Sequence, residues 1–190
     1  GKSIVSDQDY DFVFLVELAK RLPDHPFLQK LESENEGFSE EKVKLPERML
    51  STDKAYSWEE VQKWLERISR SSEEINFPLE DVQLKGTAKL DGFAGYDDGE
   101  KFYTRGDGNK GSDISRVFKR GLGVFNDSQR GQGAGEIVVK RSYFESHLSN
   151  HFEYPRNFQA SLIKEKELDH FALDAITNKA ALFVPFSQLP

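Results

Sequence analysis

A chain of 190 residues is long enough for one substantial core, or for one domain with a smaller appendage. It contains no cysteine, which excludes disulfides and thiolate metal sites. No apolar run approaches the roughly 20 residues of a membrane span, and the start lacks the order of a signal peptide, so a soluble, cytoplasmic protein is expected. The net charge of −7 argues against a surface that binds polyanions at large, leaving local basic patches such as the one around Arg120.

"SDQDYDFVFLVELAKRL", from Ser6 to Leu22, reads as a helix opened by Ser6 and Asp9 in an imperfect capping box and closed by Pro23 and Pro26. The acidic stretch around Gly37 reads as a linker, which predicts a helical appendage over 1–38 and a main body over 39–190. Ser57 and Glu60 form a capping box ahead of Val61, Trp64, Leu65 and Ile68, whose spacing predicts an amphipathic helix with those four in the core. Strands follow at "VQLKGTAKL", "GFAGY" and "KFYTR", the last two joined by a two-residue turn at Asp98-Gly99. A helix from Ser112 or Asp113 carries Ile114, Val117 and Phe118 and stops at Gly121. The glycine-rich "RGQGAG" leads into a strand "EIVVK", then Ser142 and Glu145 cap a helix through Phe144 and Leu148, and "AALFVPF" supplies a last strand. Mixed elements with hairpins predict an α+β fold with a mostly antiparallel sheet. His147 and His151 have i,i+4 spacing, but without the H-E-x-x-H pattern they read as a solvated helix face, and no metal-ligating residue is expected.

Two stretches carry chemistry. In "GTAKLDGFAG" a lysine, Lys89, stands at a strand-to-turn transition two residues before Asp91. A lysine nucleophile attacks as the neutral amine, which at an ordinary pKa of ~10.4 is a few molecules in ten thousand at pH 7. Desolvation or cationic neighbours would lower that value, and Asp91 would act in the opposite sense. The plain alternative is a surface lysine beside a turn. In "TRGDGNKGSD" Gly106, Gly108 and Gly111 spell G-x-G-x-x-G, but the strand before them belongs to a hairpin. Asp127, 20 residues after Asp107, lies in a loop, so a Rossmann reading is disfavoured. Glycines here let a loop turn tightly and leave Arg105 exposed.

Six blocks in order, "VSDQDYD", "MLSTDKAYSWEEV", "KLDG", "TRGDGNKGSDI", "GEIVV" and "PRNFQAS", resemble the adenylation region of NAD-dependent DNA ligases across most of the chain. The resemblance implies an α+β, mostly antiparallel nucleotidyltransferase core of the ATP-grasp-like ligase type, incomplete at its C-terminus, with a small helical N-terminal appendage. It implies Lys89 as the nucleophile that takes AMP, with Asp91 beside it in the motif. Arg105 would contact the nucleotide near ribose and phosphate, Glu136 would hold the ribose, Leu50 and Ser51 would line the adenylate pocket and Leu90 would approach the base. Asp7, Tyr10 and Asp11 match the family's NMN-binding motif. NAD and Mg2+ are the implied cofactors, nicked duplex DNA is the partner of the full-length enzyme, and a monomer without membrane contact is expected. Thr87 stands where the family usually carries a base-contacting glutamate, and the hairpin between Lys89 and Arg105 is shorter than usual. Later family motifs, including lysines for the α-phosphate, are expected outside this chain, so complete nick sealing by these residues alone is not. Two alternatives stay open: a ligase-like nucleotide-binding or interaction module without catalysis, and an ATP-dependent nucleotidyltransferase.

Overall fold

The computed structural model describes residues 5, 9–29, 42–50, 53–164 and 167–190. It divides into two compact units, Gly1–Glu34 and Asn35–Pro190. In the first, a π-helical turn Tyr10–Phe14 runs into helix α1 (Leu15–Arg21), and a short helix α2 (Pro26–Gln29) follows. Asp9 takes the N-cap position without a side-chain capping bond, and Ser6 lies outside the described residues. Pro26 opens α2 instead of closing the helix before it, because the first residue of a helix has no use for its N–H. Glu17 reaches both Lys20 and Arg21 at 3.4 and 3.3 Å, exposed pairs of small energetic weight.

The second unit is built on strands β1 (Val43–Lys44), β2 (Phe93–Asp97), β3 (Phe102–Thr104), β4 (Lys110–Gly111), β5 (Gly123–Val124), β6 (Gly133–Val139) and β7 (Ala181–Pro185). A five-stranded sheet runs β3-β2-β6-β7-β5, and β1 pairs with β4 in a separate ribbon. The fold is α+β with a mixed sheet, because β5 runs parallel to β7 while the other pairings are antiparallel.

Strand alternation separates two apolar faces. Phe93, Phe102, Ile137, Val139 and Phe183 point into the main core, against Phe158 and Leu162 of helix α6 (Pro155–Leu162) and Ala172, Ala175 and Ile176 of helix α7 (His170–Thr177). On the other face Tyr96 and Tyr103 gather with Leu45 and Met49, beside Ala94 and Ala134. Ser57 and Glu60 start helix α3 (Trp58–Glu74) as expected: Ser57 Oγ accepts from the Glu60 N–H at 3.3 Å, and the Glu60 carboxylate accepts from the Tyr56 N–H. Its apolar stripe is not core, however. Val61, Leu65 and Ile68 are only half-buried and Trp64 is 40% exposed.

Other expectations are corrected. "VQLKGTAKL" forms no strand: its residue types favour a pleated conformation, but no neighbouring strand among the described residues offers a ladder. The hairpin turn centres on Gly99-Glu100, not Asp98-Gly99: the Asp98 carboxylate accepts from the Glu100 and Lys101 N–H groups at 2.9 and 2.6 Å and closes the loop itself. Helix α4 spans only Arg116–Lys119 because Asp113 turns its carboxylate onto the Ser115 N–H, while Gly121 ends the turn at φ +100°. Gly133–Gly135 belong to β6 instead of a loop. Ser142 caps nothing: helix α5 (Arg141–Tyr143) begins after Lys140 and passes into a π-helical segment Phe144–Leu148, while Glu145 pairs with Arg141 at 2.7 Å. His147 stacks on Tyr143 and His151 tilts against Phe171. Among the described residues no helix is long and apolar enough to cross a membrane.

The β2–β3 hairpin is locked by Asp97, a carboxylate 1% exposed that takes Arg130 at 2.6 Å and accepts from the Gly99 and Gly131 N–H groups. Arg130 in turn lies 4.1 Å over the Phe118 ring. Removing one partner of such a pair strands the other, so Asp97→Ala is expected to lower unfolding stability by roughly 3 kcal/mol in urea titration. A loss below about 1 kcal/mol would contradict this role.

Candidate functional site

The beginning of β2 brings the candidate residues together. Ala94 is the register partner of Glu136, and its carbonyl accepts the Arg105 N–H at 3.4 Å. Glu136 lies on the sheet face of Ala94 and Tyr96, opposite the main core, as period-2 alternation along β6 requires. Gly92, last residue of "KLDG", passes directly against Glu136: a Cβ there would meet its Oε2 at 2.6 Å and the Ile137 carbonyl at 2.7 Å. Glycine therefore lets the Lys89 segment run beside the Glu136 carboxylate. Lys89 and Asp91 are exposed and Leu90 is half-buried.

Arg105 is half-buried and opens a rigid loop. Asp107 Oδ1 accepts from the Asn109 and Lys110 N–H groups at 2.9 and 2.7 Å, and the Gly108 N–H donates to the Arg105 carbonyl at 2.9 Å. The backbone bonds from Lys110 and Asn109 hold the Asp107 carboxyl below its usual range. Gly106 sits at φ +54°, and a Cβ on it would fall 2.0 Å from the Lys110 carbonyl, so no other residue fits this turn. The loop is fastened to the preceding segment by Leu45 N–H to Asn109 O at 2.8 Å and Met49 N–H to Gly108 O at 2.9 Å. Met49 is thereby buried and Leu50, next in the chain, is 67% exposed.

Below the loop, burial and the hydrogen bond to Asp98 push the Tyr103 hydroxyl up to about 12, so it stays a neutral donor. Burial raises the Asp98 carboxyl, but bonds from Lys101, Glu100 and Tyr103 outweigh it and hold the group below its usual range.

Of the residues singled out from sequence, Arg105 and Glu136 stand at the start of β2, Lys89, Leu90 and Asp91 lie on the chain that enters it through Gly92, and Leu50 follows the segment bound to the Arg105 loop. Ser51 and Asp7 lie outside the described residues. Tyr10 is half-buried in the first unit's π-helical turn, which also holds the backbone of Asp11, whose side chain lies outside the described residues. Two contributors escaped the sequence reading. Asp107 could have been found from its Asp-Gly-Asn turn chemistry. Gln159, within "PRNFQAS", is fully buried and donates from Nε2 to the Asp91 carbonyl at 3.0 Å, a contact across 68 positions that carries no local signal. A shallow groove lined by Trp64, Ile68, Ile75, Phe77 and Val82 holds none of these residues.

A family profile described as the NAD-dependent DNA ligase adenylation domain matches residues 37–173. A DNA ligase of Ruthia magnifica subsp. Calyptogena magnifica is 62% identical over 190 residues, covering 100% of this chain and 31% of the relative. A DNA ligase of Desulfotalea psychrophila is 52% identical over 192 residues, with 100% and 28% covered. A DNA ligase of Shewanella baltica is 48% identical over 190 residues, with 100% and 29% covered. These matches place the chain among enzyme domains. It belongs to the family of NAD-dependent DNA ligase adenylation domains, and it spans about three-tenths of the length of the relatives named.

Two outcomes follow from the loop and strand geometry. Gly92→Ala forces Glu136 or the Ile137 peptide aside and is expected to destabilise the domain by about 1–3 kcal/mol in thermal or urea unfolding; a neutral effect would mean the close approach is not rigid. Asp107 has a depressed carboxyl, so its stabilisation is present above the ordinary value of 3.8 and is lost as pH falls through the folded value. Asp107→Ala should therefore lower the unfolding midpoint near about pH 7, and by less once the pH has fallen below 3.8. Equal deficits at both would contradict the charge-based role.

Proposed function

We propose that this chain carries out the first step of an NAD-dependent ligation, with Lys89 accepting the adenylyl group. The Lys89 amine attacks the α-phosphorus of NAD, a nitrogen–phosphorus bond forms, the bond to the NMN phosphate oxygen breaks and NMN leaves. Asp91, two residues along, is the group in the motif suited to accept the proton. In-line transfer of this kind asks mainly for position and positive charge around the phosphate. Arg105 supplies a planar fork for phosphate or ribose oxygens, and Glu136 accepts from ribose hydroxyls. Leu50, Ser51 and Leu90 line the adenylate side.

The observation that carries this reading is the convergence at the start of β2: the "KLDG" glycine lies against the Glu136 carboxylate, and Arg105 is bonded to the residue paired with Glu136. Sheet and site together suit a nucleotidyltransferase of the ATP-grasp-like ligase type. Asp7, Tyr10 and Asp11 assign NMN binding to the helical appendage, residues 1–38, with residues 39–190 as the nucleotidyltransferase domain. Magnesium would serve in this reading to neutralise phosphate charge on the nucleotide. In the whole protein, acting as a cytoplasmic monomer, AMP then passes to a 5′-phosphate at a nick in duplex DNA and the 3′-hydroxyl closes the break.

Thr87, exposed two residues before Lys89, favours a second reading in which the domain binds a nucleotide without transferring it. Intact-protein mass after incubation with magnesium and either NAD or ATP separates the readings. One adenylyl group gained with NAD and none with ATP, lost in a folded Lys89→Ala, is expected. An adduct that survives Lys89→Ala would refute the nucleophile, and one formed from ATP would refute the donor.

A further inference from the structure

Gln159 is an amide at 0% exposure among Phe158 and Leu162, on the face of α6 that packs into the main core. A carbonyl can only accept, so the contact with Asp91 O fixes which end of the amide faces it: Nε2 donates at 3.0 Å. The other end, Oε1, is buried and makes no hydrogen bond among the described residues. A half-satisfied amide is a poor way to fill a core, since an apolar side chain of similar volume would fill the same space without an orphaned acceptor.

What the amide does provide is a tether. Segment 83–91 joins no strand among the described residues, and β2 pairs only from Phe93 onward. The segment is fastened at one end by Lys85 Nζ to the Leu189 carbonyl and at the other by Gln159 to the Asp91 carbonyl. Asp91 O stands between Lys89 and Gly92, whose position against Glu136 tolerates no side chain.

We infer that Gln159 is a positioning residue for Lys89: it holds the Asp91 peptide so that the lysine leaves the segment toward the face carrying Glu136 and Arg105. This rests on Lys89 being the adenylated residue. Because Gln159 is buried in the core and bonds the backbone of the Lys89 segment, it acts on the rate of transfer and not on nucleotide binding.

The test compares wild type, Gln159→Met, Gln159→Glu and Lys89→Ala in the intact protein, measuring single-turnover adenylation across NAD concentrations together with the unfolding midpoint. Met keeps the volume and removes the donor. It is expected to match or exceed wild-type stability, leave half-saturation by NAD within about 2-fold and lower the maximal rate about 10- to 100-fold, the scale of an ångström-level misplacement. Glu in this apolar setting is held neutral well above its ordinary pKa and donates its O–H to Asp91. Its rate, relative to wild type, should be high at low pH and fall toward the Met level as the carboxyl ionises, a signature that a purely structural role does not give.

A wild-type maximal rate in folded Gln159→Met, while the wild type forms an adduct that Lys89→Ala lacks, overturns the inference and leaves the function standing. No adduct in the wild type overturns both. Should Gln159→Met fail to fold, Gln159→Glu decides alone: a rate relative to wild type that does not change with pH overturns the tether.

Discussion

The antiparallel pairing of β2 with β6 at Ala94 and Glu136 is the contact on which the site depends. It sets which side of β6 faces the core, so Ile137 and Val139 are buried and Glu136 is turned to the opposite face. A slip of one residue would reverse this, placing a carboxylate among Phe93, Phe158 and Phe183 and Ile137 on the site face. Hydrophobic burial on one face thus holds the register that the chemistry proposed for the other face requires. The start of β2 receives Arg105 through Ala94 O, and Gly92, just before it, admits the Lys89 segment.

The groups around this pairing are held to different degrees. Arg105 opens a loop whose turn is dictated by Gly106 and closed by the Asp107 carboxylate, with further bonds to Leu45 and Met49. Lys89 lies on a segment with no strand partner among the described residues, fastened by two side chains instead of a ladder. For the proposed reaction, a rigid loop carrying Arg105 and a more lightly held segment carrying Lys89 suit a sequence in which a phosphate is first oriented and then approached by the nucleophile. Tyr103 and Asp98 brace the hairpin beneath, and Asp97 with Arg130 ties it to the start of β6.

Much of this was legible in the sequence because it is written in local rules. Apolar runs bounded by turn residues marked β2, β3, β6 and β7, the Ser57 and Glu60 cap marked the start of α3, and glycine spacing marked the Arg105 loop. Local rules misled where a partner decides the outcome. Val82–Leu90 has the composition of a strand but no neighbour with which to form one among the described residues. The stripe Val61, Trp64, Leu65 and Ile68 has helical spacing, yet spacing states that a face is apolar and not what covers it. Ser142 and Glu145 satisfy a capping pattern, but Arg141 claims the carboxylate. The bond from Gln159 to Asp91 is tertiary and had no signature at all.

The central claim is that Lys89, Arg105 and Glu136 address one nucleotide. The measurement that tests it most directly is a crystal structure of the protein after reaction with NAD. The account predicts density continuous from Lys89 Nζ to phosphorus, with the ribose hydroxyls at the Glu136 carboxylate and the Arg105 guanidinium on the ribose or phosphate oxygens. An adenylyl group on another side chain such as Lys85, or a nucleotide bound away from the start of β2, would contradict it.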